Sequence, residues 1–175
     1  FWWQKSDNHG IDDNNKAWGS SLFLPGYTWL LSTGYQQIEK NFAPALGFVN
    51  RSDIRQFDAK VRYKHRIAGK VLNYIDSQLT YRRVSDLAGM LLSESKSLRL
   101  LGIKSTGNDW LSFNVVDEFD KIRSSYELAG KATIAQGDYD FTRYGLILNS
   151  DNGRKWRIKA EYWWGDFYAG SRKDY

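Results

Sequence analysis

Few residues in this 175-residue chain have the types and spacing that catalysis requires. Asp117 and Glu118 are adjacent, so on a strand their side chains would point to opposite faces and could not act together. Glu161 and Asp166 lie on either side of a run of aromatic residues and could serve as the two carboxylates of a glycosidase. No feature of the sequence sets the distance between the two carboxyl groups. Polar surface and turn chemistry explain both pairs more simply, so we expect no enzyme and no catalytic residue.

Metal-binding and nucleophile motifs are equally weak. With only His9 and His65 in the chain, a three-histidine metal site is excluded. Ser93 and Lys96 have the Ser-x-x-Lys spacing of some acyl-transfer enzymes, but the partner motifs are absent. A loop near the start carries oxygen ligands that suit calcium, without the spacing or terminal Glu of the helical calcium loop. These ligands are Asp7, Asn8, Asp12, Asp13 and Asn14. We expect no metal site and no cofactor.

Aromatic residues are the chemical feature that stands out, at 16% of the chain, with 8 Trp and 11 Tyr. Trp and Tyr rings stack on sugars, and the same rings anchor proteins at membrane interfaces. Interface anchoring is the favoured interpretation. Trp163, on the charged parity of its strand, and Tyr168 remain candidate glycan contacts.

Charge and composition limit the classes of partner. The net charge is +5, and the basic residues alternate with apolar ones along strands, which is typical of one wet face of a sheet. We therefore expect no nucleic-acid partner. The absence of Cys excludes disulfides and thiolate chemistry. The length suits a single domain over residues 1–175.

Alternating hydrophobicity predicts the elements that carry these residues. In the stretch 56–64, Phe57, Ala59, Val61 and Tyr63 alternate with polar residues, and a helix would spread those charges around its circumference. Similar strands are predicted at 27–40, 71–84, 110–119 and 138–149. A segment from Leu87 to Ser105 predicts one bulged strand or two short ones, with a helix as the competitor near Met90. Turn signals such as Asn152-Gly153 separate the strands.

The last predicted strand shows the same pattern. Trp156, Ile158, Ala160, Tyr162 and Trp164 fall on one parity, while Arg157, Lys159 and Glu161 fall on the other together with Trp163. The first parity is predicted to face lipid or a dry core. Trp163 lies just before Gly165, where a ring can serve an interface at the end of the strand.

The sequence thus predicts an all-β, antiparallel meander of about seven to nine long strands. Strands of about 10 to 14 residues exceed the usual length of 5–6 and suit a bilayer crossing, which needs about 9–11 tilted residues. An outer-membrane β-barrel, or an arc of a larger one, explains the charged parity as a wet lumen and the aromatics as interfacial girdles. A soluble antiparallel sheet or sandwich with one wet face is the alternative, because its strands alternate in the same way.

Two phrases resemble a bacterial outer-membrane β-barrel family, domain of unknown function 5916. The first has the form Phe-x-Pro-x-x-Gly-Phe-Val-x-Arg before a strand. The second opens a strand with Gly-Asp-Tyr and ends on Gly-x-Phe-Tyr-x-Gly-x-Arg. The matching residues are Phe42, Pro44, Gly47, Phe48, Val49 and Arg51, then Gly137, Asp138 and Tyr139, and finally Gly165, Phe167, Tyr168, Gly170 and Arg172.

The resemblance covers residues 18 to 175 and implies a location and a role. Members of that family carry a signal peptide and a family-nine-like carbohydrate-binding module before a large barrel, so this chain is similar to an internal piece of the barrel. The implied partners are outer-membrane lipid, glycan, and the remaining barrel strands or another chain. The implied function is transport or anchoring linked to glycan handling in the bacterial outer membrane. A soluble all-β carbohydrate-binding module and a hydrolase with no identifiable site remain the alternatives.

Overall fold

The structure is a computed structural model that describes residues 1–7, 10, 13–44, 49–128 and 132–175. Two residues of the first family phrase, Gly47 and Phe48, lie outside the described residues. So do His9 and two of the candidate calcium ligands, Asn8 and Asp12.

The described residues form twelve β-strands and no helix, so the segment near Met90 is not helical. Among them there is no helix of the length and apolarity that would cross a bilayer. The strands are β1 (Trp2–Lys5), β2 (Lys16–Pro25), β3 (Trp29–Ile38), β4 (Ile54–Arg66), β5 (Leu72–Asp86), β6 (Leu91–Ser105), β7 (Trp110–Ile122), β8 (Tyr126–Leu128), β9 (Ala132–Ile134), β10 (Gly137–Asn149), β11 (Lys159–Phe167) and β12 (Gly170–Asp174).

Ten of the strands form one antiparallel sheet in which each strand pairs with its neighbours along the chain. Its order is β1-β2-β3-β4-β5-β6-β7-β10-β11-β12, and β8 and β9 form a separate hairpin between β7 and β10. The outer edges of β1 and β12 do not pair with each other, so the sheet is open. The predicted all-β antiparallel meander is confirmed, with eight strands of nine residues or more, β2 to β7, β10 and β11.

The strand register gathers the apolar parity of every long strand on one side, which we call the apolar face. One row of paired residues crosses this face from β2 to β11 without a polar interruption. The row consists of Leu24, Leu31, Val61, Leu79, Leu98, Val115, Tyr144 and Trp164. A strand pattern that looks merely alternating in sequence therefore becomes a continuous apolar surface.

The other side, which we call the polar face, carries the opposite parity. Gln56, Asp58, Lys60 and Arg62 of β4 lie on it, next to Arg82, Thr80 and Gln78 of β5. Ser112 and Asn114 of β7 continue it across the sheet. Full charges and amides thus share one face, as the sequence predicts.

Burial is distributed in the reverse of the usual soluble pattern. Leu79 on the apolar face of β5 is 47% exposed, whereas Asp76 on the polar face of the same strand is 4% exposed. No described layer covers the apolar face, and the β8–β9 hairpin reaches the polar face only at one end, where Tyr126 meets Tyr168. The burial of Asp76, which lies away from that hairpin, indicates that the sheet curves toward its polar face and makes that face concave.

Loop lengths distinguish the two ends of the sheet. One end, here the loop end, carries the two longest connections, 39–53 and 123–136. The other, here the turn end, carries the connections 26–28, 67–71, 106–109 and 150–158. The small dry core lies at the loop end, where Ile54, Val84 and Leu92 pack together against Ile38.

Several element boundaries differ from the sequence-based expectation. β2 and β12 are strands that the alternation did not predict, since Gly19, Ser20 and Ser21 interrupt the apolar parity of β2. The segment 91–105 is a single strand with a register shift between Arg99 and Leu101, as the bulged-strand interpretation predicts. β11 begins at Lys159, so Trp156 and Ile158 lie in the preceding connection and Trp156 is largely exposed.

Candidate functional site

An aromatic cluster with a carboxylate at its edge lies on the polar face at the loop end. Tyr168, in the turn between β11 and β12, is at its centre, with ring centroids of Tyr139 and Phe141 both 5.2 Å away. Phe167 packs edge-on against Phe141 at 5.7 Å. Tyr126 of β8 completes the set, which we call the aromatic cluster. Residues of β8, β10 and the β11–β12 hairpin thus converge on one spot.

The Tyr168 hydroxyl connects the aromatic cluster to an acidic group. It donates a hydrogen bond to Asp120 Oδ2 at 3.0 Å and accepts one from the Tyr126 hydroxyl at 3.1 Å. Burial, together with these two hydrogen bonds, raises the pKa of Tyr168 well above its ordinary value. The hydroxyl therefore remains a neutral donor, and Asp120 stays beside it as an acceptor.

A pocket of about 300 Å³ opens beside the aromatic cluster and is lined in part by Arg51, Asp120, Phe167 and Tyr168. A second pocket of about 250 Å³ shares Arg51 and Asp120 and extends to Tyr126. Cations, carboxylates and ring edges in a concave site can recognise a polar organic ligand such as a sugar. Arg51 reaches this place from the connection 39–53, which brings it next to Phe167 and Tyr168.

Trp163 lies on the polar face but outside the aromatic cluster. Its indole covers Gly145, where an added Cβ would come within 2.5 Å of Trp163 Cε3, so only glycine leaves room for the ring. The Arg143 guanidinium carbon lies 6.0 Å from the Trp163 ring centroid and 5.8 Å from that of Phe167. Arg143 therefore separates Trp163 from the aromatic cluster, and Trp163 and Tyr168 do not touch.

Several other residues that carry the family resemblance lie near the aromatic cluster or at the ends of its strands. Gly165 has a φ of 135°, and an added Cβ would lie 2.3 Å from the Thr142 carbonyl oxygen, so only glycine fits. The Arg172 guanidinium lies 4.9 Å from the Phe167 ring. Gly137 begins β10, Gly170 begins β12, and Phe42 is buried beside Pro44 in the connection 39–53.

A second polar network lies nearer the turn end. Arg99 Nη1 is 3.3 Å from both carboxylate oxygens of Asp76, and its guanidinium lies 5.1 Å from the Trp110 ring centroid. Neighbouring Ser112 and Asn114 are both buried and bond to each other at 3.1 Å. These contacts hold this part of the polar face in a fixed geometry, although Arg99 Nε is buried without a hydrogen-bond partner among the described residues.

The carboxylate pairs considered for hydrolysis do not converge. Glu161 pairs across to Ile147 on the polar face and binds Lys159 at 3.1 Å, whereas Asp166 pairs with Ser171 on the apolar face. His65 lies on the apolar parity of β4, opposite Ile75. Over the described ranges, which omit parts of the calcium-like loop, no three His, Asp or Glu side chains group as a metal site.

Several residues of these sites were missed by sequence reasoning. Asp120, Tyr126 and Arg99 come from three different elements, and only the strand register brings them beside their partners. A weak signal exists in retrospect, because Asp120 and Tyr139 share the polar parity of paired strands. The approach of Tyr126 depends on the β8–β9 hairpin, which alternation in so short a segment cannot predict.

Comparison with known proteins gives no further constraint, since no protein family, curated protein or solved structure matches the chain.

Proposed function

We propose that this chain forms part of the wall of a β-barrel in the bacterial outer membrane, with lipid against its apolar face and water against its polar face. The observation that supports this most strongly is the reversed burial of the two faces. Many apolar-face side chains are more than a third exposed, and at about 40% exposure a large side chain leaves roughly 60–100 Å² uncovered. Together they exceed the roughly 300–600 Å² of the largest patch on a typical soluble monomer. They are Leu22, Leu24, Trp29, Leu31, Phe57, Val61, Tyr63, Leu79, Leu101, Leu111, Tyr144, Leu146, Leu148 and Tyr162.

The border of the apolar band is oblique over part of the sheet. On β4 the band runs from Phe57 to Tyr63, about 20 Å along the strand, which at a tilt of about 40° is a height of about 15 Å, compared with about 25 Å for the outward apolar band of membrane barrels. Its border at the loop end moves from Phe57 on β4 to Tyr81 on β5 and Leu98 on β6, with Lys96 just beyond, and stays level from β6 to β11. The oblique part of the border is what strands tilted against a bilayer require.

Aromatic residues occupy both borders of the band, as membrane interfaces favour. Tyr81 lies at the loop-end border, 6.1 Å between centroids from Phe57. Trp29 and Tyr63 pack at 4.8 Å at the turn-end border.

The open edges of the sheet support additional partners. Lipid cannot form hydrogen bonds with the free backbone groups of β1 and β12, and only a closed sheet satisfies them within a bilayer. We therefore propose that further barrel strands, from the same protein or from another chain, pair with both edges. The chain then corresponds to an arc of a larger barrel with a transport or anchoring role.

The test compares two substitutions on opposite faces of the sheet. Leu146→Lys places a charge in the middle of the apolar face, between Phe113 and Tyr162, whereas Ser97→Lys places it on the polar face between Thr80 and Val116. In lipid vesicles, Leu146→Lys is expected to lower the free energy of unfolding by about 2–4 kcal/mol and Ser97→Lys by at most about 1 kcal/mol. Urea titration of the vesicle-bound protein measures both. Equal effects would refute the membrane orientation of the faces.

Glycan binding on the polar face is a second proposed function, favoured by the rings and carboxylates at the loop end. Trp163 and Tyr168 are its proposed contacts. Trp163→Ala is expected to weaken binding of cellohexaose, xylohexaose or maltohexaose about 5- to 10-fold, the equivalent of about 1 kcal/mol of stacking. The adjacent Trp164→Ala, on the apolar face, is the control and should change affinity less than about twofold. Calorimetry that detects no binding, or the same loss in both variants, would eliminate this function.

A further inference from the structure

Four cations follow one another on the polar face of β4: Lys60, Arg62, Lys64 and Arg66, which we call the basic stripe. They share one parity, so successive Cα atoms lie about 6.7 Å apart and the stripe is about 20 Å long. It runs from the middle of the sheet to the turn end. Lys60, Arg62 and Lys64 are only partly exposed, because the sheet curves over them.

No carboxylate forms an ion pair with the basic stripe within the part of the chain that the structure describes. Lys60 lies between Ser32 and Thr80 on the adjacent strands, and Arg62 lies beside Gln78. Asp76 is opposite Lys64 and attracts its charge, but the ion pair of Asp76 is with Arg99.

Elsewhere on the polar face, arginines are paired with acids. Arg82 binds Asp58 at 2.7 Å, and Arg123 binds Asp86 at 3.0 Å. Arg143 pairs with Asp174. The excess positive charge of the concave side is therefore concentrated on one strand, away from the aromatic cluster.

Two members of the basic stripe are held in place by rings that leave their charge intact. The Lys64 ammonium lies 4.4 Å from the Tyr74 ring centroid, and the Arg66 guanidinium lies 3.5 Å from that of Tyr27. Arg66 also donates to the Tyr27 carbonyl oxygen at 2.6 Å. Cation–π contacts orient a cation without supplying a counter-charge. The two members nearest the turn end, Lys64 and Arg66, are thus fixed. Lys60 and Arg62 project between neutral neighbours.

We propose that the basic stripe binds polyvalent anions, meaning small solutes that carry two or more phosphate or carboxylate groups. Like charges at this spacing repel one another in a partly desolvated groove, and an anion that spans several of them relieves the repulsion. Guanidinium and ammonium groups are also the donors that phosphate and carboxylate oxygens prefer. Rows of Lys and Arg line anion-selective pores for the same reason. The inference rests on the proposed function only in placing the polar face along a water-filled lumen.

The experiment uses tripolyphosphate as the probe, titrated into the full chain in detergent micelles at low ionic strength. The test variant is Lys60→Gln with Arg62→Gln. Its matched control is Arg55→Gln with Arg83→Gln, which removes two cations from the apolar parity of β4 and β5. Both variants change the net charge equally, so a difference between them reports the position of the charges. Circular dichroism confirms that each variant retains its strands.

We expect the test variant to lose at least about tenfold in tripolyphosphate affinity and the control to change less than about twofold. The wild type should bind tripolyphosphate more tightly than pyrophosphate and orthophosphate, because more of the stripe is engaged. Equal losses in the two variants, or no measurable binding by the wild type, would overturn the proposal. Flotation of the same proteins with lipid vesicles separates the two claims. Flotation without anion binding contradicts only the proposed anion binding by the basic stripe. Anion binding without flotation contradicts only the proposed membrane location.

Discussion

At the scale of single residues, two ion pairs on the polar face differ in burial and therefore in the cost of breaking them. The Asp76 side chain is 3% exposed beside Arg99, whereas Asp58 and Arg82 form their pair with 35% and 61% of the side chains exposed. Removing one partner of a buried pair leaves an uncompensated charge, which costs about 3–5 kcal/mol. An exposed pair contributes at most about 1 kcal/mol.

Asp76→Ala is therefore expected to lower the free energy of unfolding by about 3 kcal/mol or more, and Asp58→Ala by about 1 kcal/mol or less. Adding Arg99→Met to Asp76→Ala should recover part of the loss, since the stranded guanidinium is then removed. Urea midpoints of the micelle-bound variants measure each change. A double variant as unstable as the sum of the single ones would argue against a direct Asp76–Arg99 interaction.

For Trp163, the sequence predicts the face and the position along the strand but not the contact that the ring makes. Its charged parity correctly places the indole on the polar face, and its position before Gly165 correctly places it near the end of β11. The cover that it forms over Gly145 was not predictable, because that contact depends on the register between β10 and β11. A glycine inside a strand gives no signal of such a contact until its partner on the next strand is known.

At the scale of elements, alternation predicts the long strands well and the irregular ones poorly. β4 and β5 follow from strict period-two patterns, and β6 was correctly recognised as one bulged strand among the alternatives. β2 was missed because small residues replace apolar ones at Ser20, although its pairing with Tyr35 fixes it as a strand. β11 begins later than the pattern suggests, because Trp156 and Ile158 continue the parity through a connection outside the regular ladder, in which Ile158 bonds back to Ser150. Hydrogen bonding, rather than hydropathy, sets these limits.

At the scale of the whole molecule, the sheet combines features that a soluble protein of this size rarely combines. Its small apolar core lies at the loop end, while the long apolar row across eight strands has no covering layer among the described residues. The sequence predicts two faces that require different solvents, and the barrel hypothesis places the charged parity on the inner, concave side. The alternative of a soluble sheet leaves the direction of curvature open, because it depends on the complete sheet. A polar concave side and an apolar convex side are the arrangement that the proposed barrel wall requires.

The measurement that tests this account most directly is spin-label accessibility along β5 in lipid vesicles. The chain has no Cys, so single cysteines at Ser77, Gln78, Leu79, Thr80 and Tyr81 can each be labelled without background. The account predicts that accessibility to oxygen, which concentrates in lipid, is high at 77, 79 and 81, while accessibility to a water-soluble nickel reagent is high at 78 and 80. Labels at all five positions that respond mainly to the nickel reagent, or that show no alternation, would contradict it.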